Sequence, residues 1–360
     1  MIRPRPTETR NMPTFKRPKR ATILDLAAFT GVSRGTISRA FNNQAGINPQ
    51  TRDKILKAAR KIGYQPHNGA RMMKLSRKGR WGLLLPHLRN PYYSELVEAL
   101  NRVARSRHTT LLLGLSLEEN ESLAMIEQWT AGETDGLIMD QSYYRQNPAF
   151  FDQLREQGQP MVFLHGKPIP GFDFVGYELY GSFFRNMKTL AALGHRRIAY
   201  VGQAFEGCRS TGRYTAYSAF HVQNKWPLQE ELVFFGEDGH VGGLKAWGHF
   251  VTLPEPPTAV VCGDDIIACG LIQGIRSHGM EIPGHVSVSG VDDIAEAERL
   301  GLTTIHTDRD ETSRAIMDIL ERRIADPTLP PQVSIITSSL ILRDSEGAPR
   351  TEALIRGARD

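Results

Sequence analysis

Residues 31–42 read GVSRGTISRAFN, and this stretch decides how the first part of the chain folds. The apolar residues Val32, Ile37, Ala40 and Phe41 recur at helical spacing, so one side of a short helix can be buried. The positions between them carry serine, threonine, glycine and arginine. The pattern predicts a helix with one buried face and one polar, basic face.

The segments on either side of this stretch predict two more helices. Thr22 precedes an apolar run and Asp25 stands three residues later, a spacing typical of a capping box. A glycine supplies the turn before the second helix, which Ser33 is placed to cap. Asn48 and Pro49 form a cap followed by a proline at the first helical position of a third helix.

Charge is divided sharply between the two parts of the chain. Residues 1–80 carry 19 Lys/Arg and 3 Asp/Glu, whereas residues 81–360 carry 25 and 36, which gives net charges of +16 and −11. Such an asymmetry indicates a polyanionic partner for the first part, with nucleic acid favoured over an anionic membrane surface.

A helix, a glycine turn and a second polar helix form a helix-turn-helix, whose second helix enters the major groove of DNA. Arg34 and Arg39 are predicted to read bases, because a guanidinium can donate two hydrogen bonds to guanine. Smaller polar side chains suit phosphate contacts, which fix register without reading sequence. These side chains are Thr22, Ser33, Thr36, Ser38 and Asn42. The alternative is a solvated helix of a small bundle.

Two long stretches, ATILDLAAFTGVSRGTISRAFNN and INPQTRDKILKAARKIGYQPHNGARMMK, resemble the lactose-repressor/galactose-repressor family of bacterial transcription regulators. The resemblance covers about residues 21–345. It implies that Arg34 and Gly35 hold the positions that discriminate operators and that Arg39 is a third base contact. The DNA-binding set that it implies is completed by Asn48, Thr51, Tyr64, Ala70, Met73 and Lys74.

Residues 67–80 resemble the hinge of that family, a short helix that folds on the operator and pushes an apolar wedge into the minor groove. Met73 takes the wedge position, where the family usually has leucine. Gly69 lowers the intrinsic stability of such a helix by roughly 1 kcal/mol relative to alanine. The alternative is a basic flexible linker. Residues 1–20 are expected to form a basic arm, either disordered or lying in the minor groove.

From Trp81 onward, short apolar runs alternate with amphipathic stretches of about ten residues. WGLLLP, TDGLIMD and PMVFLHG are such runs in the first half, and RRIAYVG, TAVVCG and VSVSGVDD in the second. The alternation predicts two lobes, each a parallel sheet with helices on both faces. The resemblance implies a body like type I periplasmic binding proteins. The expected fold is an all-α helix-turn-helix head plus an α/β body of two parallel-sheet lobes.

The domain boundaries follow from these patterns. They are 1–20 for the arm, 21–66 for the helix-turn-helix, 67–80 for the hinge helix and linker, 81–346 for the effector-binding and dimerisation domain, and 347–360 for the tail. The tail has no leucine heptads that would form a tetramerising helix, so a dimer is expected.

Ligands of open parallel sheets bind beyond the carboxyl ends of the strands. The polar and aromatic residues at these ends are Tyr92, Asp140, His165, Arg213, Asp264 and Asp292. A tyrosine ring can stack on a sugar face while carboxylates and a guanidinium grip vicinal hydroxyls. The resemblance also places these six residues on effector-site positions, although His165 replaces the aspartate usual there. A sugar or sugar derivative is the leading hypothesis for the effector, and a nucleobase is the lesser one.

Other classes of protein fit the sequence less well. No GxSxG, P-loop, HExxH or GxGxxG context accompanies the acidic and histidine residues, so an enzyme is not expected. Cys208, Cys262 and Cys269 lack metal-ligand spacing, and neither a metal nor a cofactor is predicted. No apolar run reaches the length of a membrane span. An exported sugar carrier would share the body but should begin with a signal peptide instead of a basic helix-turn-helix.

These observations predict a cytoplasmic, nucleoid-associated transcription regulator that binds double-stranded DNA as a homodimer on a near-palindromic operator. We expect it to repress genes for carbohydrate uptake or breakdown and to be released by a small sugar-like effector. The alternative is a corepressor-dependent regulator of the same fold that responds to a nucleobase or another metabolite.

Overall fold

A computed structural model of the chain describes residues 21–41, 47–62, 64, 78–205 and 207–349. The chain divides into two compact units, Met1–Arg77 and Lys78–Asp360. The described helices of the first unit are α1 Ile23–Thr30, α2 Arg34–Phe41 and α3 Pro49–Ile62.

The ends of these helices follow the predicted capping residues. The Thr22 hydroxyl accepts a hydrogen bond from the Asp25 amide at 3.3 Å, and the Asp25 carboxylate accepts one from the Thr22 amide at 2.7 Å. This reciprocal pair is the predicted capping box. Gly31 ends α1 with a left-handed φ of 69°. The Ser33 hydroxyl then accepts from the Thr36 amide at 3.2 Å at the start of α2.

A small apolar core holds α2 against its neighbours. Leu26, Ile37 and Ile55 are fully buried, one from each helix, and alanines of α2 and α3 fill the space between them. Burial of one such side chain contributes roughly 1.5–3 kcal/mol. The same packing fixes which face of α2 points outward.

The second unit contains two six-stranded sheets. In the first sheet the spatial order is β11-β5-β4-β3-β1-β2, with the bounds β1 Arg80–Leu85, β2 Thr110–Leu115, β3 Gly136–Asp140, β4 Met161–Leu164, β5 Asp173–Glu178 and β11 Val333–Thr337. In the second sheet it is β12-β10-β9-β8-β6-β7, with the bounds β6 Ile198–Gln203, β7 Val233–Gly236, β8 Ala259–Cys262, β9 Ser287–Asp292, β10 Thr303–His306 and β12 Ser339–Ile341. Each sheet with its helices forms one lobe.

Neighbouring strands pair in parallel throughout, except that β12 pairs antiparallel to β10. Strands β3, β4 and β8 are buried along their whole length, as expected when helices cover both faces of a sheet. The helices of this unit are α4 Pro91–Ser106, α5 Glu119–Gln128, α6 Gln141–Gln146, α7 Pro148–Glu156, α8 Tyr180–Ala192, α9 Gly212–Gln223, α10 His240–Phe250, α11 Asp265–Ser277, α12 Ala295–Arg299 and α13 Arg309–Ala325.

The chain passes between the lobes more than once. After β5 it enters the second lobe, α13 and β11 return to the first, and β12 rejoins the second. Because the strands are parallel, the carboxyl ends of β1, β3, β4 and β5 lie at one edge of the first sheet. None of the helices in the described ranges combines the length and apolar character needed to cross a bilayer.

Candidate functional site

The outward face of α2 carries the side chains predicted to meet DNA. Ile37 and Ala40 are buried beneath it, whereas Thr36 is half-buried. The exposed members of the predicted set on this face are Ser33, Arg34, Gly35, Ser38 and Arg39. The Arg39 guanidinium donates from Nε to the Gly35 carbonyl at 3.4 Å, so its side chain lies along the helix. A basic, exposed helix face is the geometry that groove entry requires.

The remaining predicted DNA contacts have differing surroundings. Asn48 caps α3, since its side-chain oxygen accepts from the Gln50 amide at 2.8 Å, and Thr51 lies in the first turn of that helix. Tyr64 is half-buried, with its ring edge-to-face against Phe41 at a centroid distance of 5.7 Å. The other positions lie outside the described residues: Asn42, Ala70, Met73 and Lys74.

In the first lobe of the body, the predicted effector residues form one hydrogen-bonded chain. His165 donates from Nδ1 to the Asp140 carboxylate at 2.7 Å, which leaves Nε2 to accept from the Tyr92 hydroxyl, also at 2.7 Å. The Tyr177 hydroxyl lies 3.0 Å from that of Tyr92, and the Thr312 hydroxyl donates to Tyr177 at 2.9 Å. The chain begins at the carboxyl end of β3 and ends on α13.

Asp140 is the charged end of this chain. Burial raises the pKa of its carboxyl, but the hydrogen bond from His165 and those from Ser142 outweigh burial, so the net pKa lies below its usual range. The same carboxylate caps α6 by accepting from the Ser142 amide at 2.8 Å. Burial raises the pKa of Tyr92 well above its usual range, and the neighbouring Tyr177 adds to the rise. The lobe therefore presents one compensated anion and neutral hydroxyls.

Arg309 lies against this chain from the start of α13. Its guanidinium is 5.4 Å from the centre of the Tyr92 ring, and it pairs with the Glu95 carboxylate at 3.0 Å. Arg309 is also 9 % exposed, so it contributes a buried positive charge next to the tyrosines.

The second lobe contributes Arg213, Asp264 and Asp292. Arg213 donates to the Gly263 carbonyl, at the carboxyl end of β8. Asp264 caps α11 by accepting from the Ile267 amide at 2.8 Å. Asp292 ends β9 in a left-handed conformation with φ of 114°, which few non-glycine residues adopt. These three positions surround the same end of the second sheet.

Three buried carboxyls of this lobe, Asp264, Asp265 and Asp292, are poorly compensated. Burial raises the pKa of Asp264 to about 6 and that of Asp265 to about 7. Burial also raises the pKa of Asp292 well above its usual range, and the Asp265 and Asp264 carboxylates add to the rise. Arg213 and Arg309 oppose this rise without cancelling it.

The two groups of residues face each other. The charge of Asp292 acts on the Tyr92, Tyr93 and Tyr177 hydroxyls of the first lobe and raises their pKa values. The structure therefore brings all six predicted effector residues to one cleft between the lobes. Within the described ranges, no cluster of three His, Cys, Asp or Glu side chains could hold a metal ion.

Two family models match the chain. The model of bacterial regulatory proteins of the lacI family matches residues 22–67, and the model of the periplasmic binding protein-like domain matches residues 187–346.

The chain belongs to the LacI family. It is 28% identical over 332 residues to the HTH-type transcriptional repressor PurR of Erwinia tasmaniensis, with 90% of this chain and 96% of that one covered. It is 28% identical over 330 residues to the ribose operon repressor of Escherichia coli K12, with 90% and 99% covered.

Solved structures show the same fold. A Lac repressor dimer bound to operator and the anti-inducer ONPF aligns with a TM-score of 0.73 at 20% identity, over 92% of this chain and all of that one. A CelR–cellobiose complex aligns with a TM-score of 0.68 at 24% identity, over 91% and 100%. The predicted fold is confirmed, and so is the prediction that the chain is a DNA-binding regulator and not an enzyme.

Several residues of this LacI-family cleft were not anticipated from the sequence. Tyr177 and Arg309 join the cluster from β5 and α13, and neither follows a strand run that the apolar alternation singles out. His87 and Asp238 connect the lobes through a 2.7 Å contact between Nε2 and the carboxylate. The loop that carries His87 and the turn that carries Asp238 have no local sequence pattern that predicts this contact.

Proposed function

We propose that this LacI-family regulator represses genes for uptake or breakdown of a carbohydrate and that a small sugar-like effector releases it from its operator. The observation that carries the proposal is the chain of Asp140, His165 and Tyr92 facing the poorly compensated Asp292. Alternating donors and acceptors opposite a carboxylate suit a ligand with several hydroxyl groups.

A hydroxyl-rich ligand would supply what the second lobe lacks. Asp292 lies among other carboxyls, and a ligand hydroxyl that donates to it offsets the cost of burying its charge. Arg213 stands beside the same site and can donate to a ring or hydroxyl oxygen. The aromatic ring of Tyr92 offers an apolar surface for the face of a sugar.

The relatives support two classes of effector. One relative is called the ribose operon repressor, and ribose is a sugar. The PurR repressors are equally similar to this chain. A corepressor-dependent regulator that responds to a nucleobase or another metabolite is therefore the second candidate. The Asp140, His165 and Asp292 set favours the sugar, because it provides hydroxyl-binding groups on both walls of the cleft.

On the DNA side, we propose that two chains pair through their bodies and place two heads on a near-palindromic operator. Arg34 and Arg39 would read bases from the exposed face of α2. Gly35 has no side chain to contact a base, so the base pair opposite it would be recognised through DNA shape or bridging water. An effector that weakens operator binding must itself be bound more weakly by the operator complex, by the same factor.

Replacement of the reading arginines tests the DNA side. Arg34→Ala or Arg39→Ala should cost roughly 1–3 kcal/mol on the selected site and relax preference at one base pair each. The measurement is selection of sites from a random duplex library, with Asp152→Asn, a carboxylate of α7 in the body, as the control. Unchanged preference in both arginine variants would reject the base-reading role.

A ligand screen tests the effector. The full chain is mixed with single monosaccharides, disaccharides and nucleobases, and both its thermal unfolding and its affinity for the selected duplex are measured. One saccharide should raise the unfolding temperature and weaken DNA binding. A nucleobase that raises the unfolding temperature and strengthens DNA binding would replace the sugar proposal with the corepressor alternative.

A further inference from the structure

The Asp135 carboxylate holds the first residues of the second unit. It accepts hydrogen bonds from the Lys78 amide at 2.7 and 2.9 Å and from the Gly79 amide at 2.6 Å. Lys78 begins that unit, and both residues fall in the segment predicted as hinge and linker. Gly79 has a left-handed φ of 65°, so the backbone turns at this point. A single side chain therefore fixes the place where the linker joins the body.

Further bonds on either side make this attachment rigid. The Asp135 amide donates to the Arg80 carbonyl at 2.8 Å, and the Thr110 amide donates to the Gly79 carbonyl at 2.9 Å. Both are backbone hydrogen bonds that extend the first sheet by one step beyond β1. Gly79 is therefore held twice: its amide donates to the Asp135 carboxylate, and its carbonyl accepts from the Thr110 amide.

The residues before Asp135 are anchored as well. The kinked turn Trp129–Glu133 places the buried Trp129 ring over β1 and β2. A β-carbon at Gly82 or Gly114 would collide with that ring, so the two glycines form a notch for it. Thr134 then binds the Trp129 carbonyl through its amide at 3.0 Å and its hydroxyl at 3.3 Å. Asp135 consequently projects from a fixed platform.

Strand β3 connects this platform to the cleft. Asp135 immediately precedes β3, and Asp140, at the other end, accepts the hydrogen bond from His165. Five buried strand residues at about 3.3 Å each separate the two ends by roughly 17 Å. Because β3 is paired on both sides by β1 and β4, it is a central strand of the first sheet.

We propose that Asp135 is a positioning residue for DNA binding, because its carboxylate fixes the Lys78 and Gly79 backbone, the start of the body, to the first lobe. The inference rests on the proposed function, since it assumes that the body controls sequence-specific DNA binding. Without the carboxylate, the Lys78 and Gly79 amides lose their acceptor, and we expect specific DNA binding to weaken because it demands precise positioning of the contacting groups. Non-specific attraction to phosphates does not need that placement.

The test compares full-length wild type, Asp135→Ala, the isosteric Asp135→Asn and the control Asp152→Asn, which removes a half-exposed carboxylate of the same lobe. Affinity is measured on the duplex that wild type selects from a random library and on an unselected duplex of equal length. Asp135→Ala should bind the selected duplex about tenfold more weakly and the unselected duplex equally well. Asp135→Asn should lose part of the affinity, and the control none.

Amide hydrogen exchange provides the second readout. The Lys78 and Gly79 amides should exchange about tenfold faster in Asp135→Ala, while the amides of β3 keep their protection. Unchanged exchange at Lys78 and Gly79, or equal loss of affinity on both duplexes, would overturn the proposal and leave Asp135 a structural residue. If wild type selects no consensus, the proposed function fails, and the role proposed for Asp135 fails with it. A consensus that wild type and Asp135→Ala bind equally well refutes the role of Asp135 alone.

Discussion

Asp140 and Asp292 both end central strands of parallel sheets, yet their carboxyls have opposite electrostatic surroundings. Asp140 receives hydrogen bonds from His165 and the Ser142 amide, and its pKa lies below the usual range. Asp292 lies among Asp265 and Asp264, and burial raises its pKa well above that range. The carboxylate on the first-lobe wall is already hydrogen-bonded, whereas the carboxyl on the second-lobe wall gains from a ligand that donates to it.

The difference assigns distinct roles to the two walls. A preformed chain of hydroxyls and imidazole orients a ligand without rearranging, which lowers the cost of binding. A carboxyl that is poorly compensated in the free protein gains more from a ligand that donates to it. We therefore expect the first lobe to set ligand orientation and the second to supply much of the change in free energy on binding.

Removal of the uncompensated carboxyl gives the largest expected effect. Asp292→Ala should lower effector affinity about 100-fold and abolish the effector response while DNA binding is retained, because a hydrogen bond between the ligand and a buried carboxyl is lost. Titration of the responsive saccharide into the variant, in the presence and absence of the selected duplex, measures this. A normal response would remove Asp292 from the site.

The pH dependence of stability gives the next effect. The pKa of Asp265 is raised to about 7 and that of Asp264 to about 6. Both values lie above the pKa of the same carboxyls in the unfolded chain, so the protonated carboxyls stabilise the fold at low pH. This stabilisation is lost as the pH rises from the unfolded pKa through the folded pKa. The free energy of unfolding should fall by on the order of 4 kcal/mol between pH 5 and pH 8. Denaturant titrations at several pH values measure it.

Asp265→Asn is the matched variant for this pH dependence. Asp265 is fully buried and accepts from the Thr304 hydroxyl at 2.6 Å and the Ile294 amide at 3.0 Å, so an isosteric amide keeps the shape and removes the charge. The variant should make the pH profile less steep between pH 5 and pH 7, while Asp292 and Glu346, whose pKa values are also raised, keep part of the dependence. A variant profile as steep as that of wild type would show that the carboxyls of the second lobe are better compensated than the structure indicates.

A donor replacement on the first wall gives the smallest effect. His165→Asn should cost about 1 kcal/mol of stability, because asparagine tolerates the left-handed φ of 62° and still offers an N–H donor for Asp140. Its unfolding free energy is compared with that of His165→Phe, which offers no donor and should lose more. Equal losses would mean that ring packing, and not the hydrogen bond, holds this wall together.

Much of this arrangement is readable from local sequence. The capping box at Thr22 and the strand ends at Asp140 and Asp292 depend on residues close together in the chain. The joining of Tyr177 and Arg309 to Tyr92 depends on sheet order and on the return of α13 to the first lobe, which apolar alternation does not encode. The Asp135 contact with Lys78 spans 57 residues and has no local pattern at all.

The most direct test of the central claim is a footprint of the purified full-length protein on its host's genomic DNA at near-physiological salt, repeated after addition of saccharides. We expect sharp, near-palindromic sites beside transporter or glycosidase genes, and we expect one saccharide to remove protection from them. Diffuse, salt-sensitive protection without a consensus, unchanged by any saccharide or nucleobase, would contradict the claim that this chain is an effector-controlled repressor.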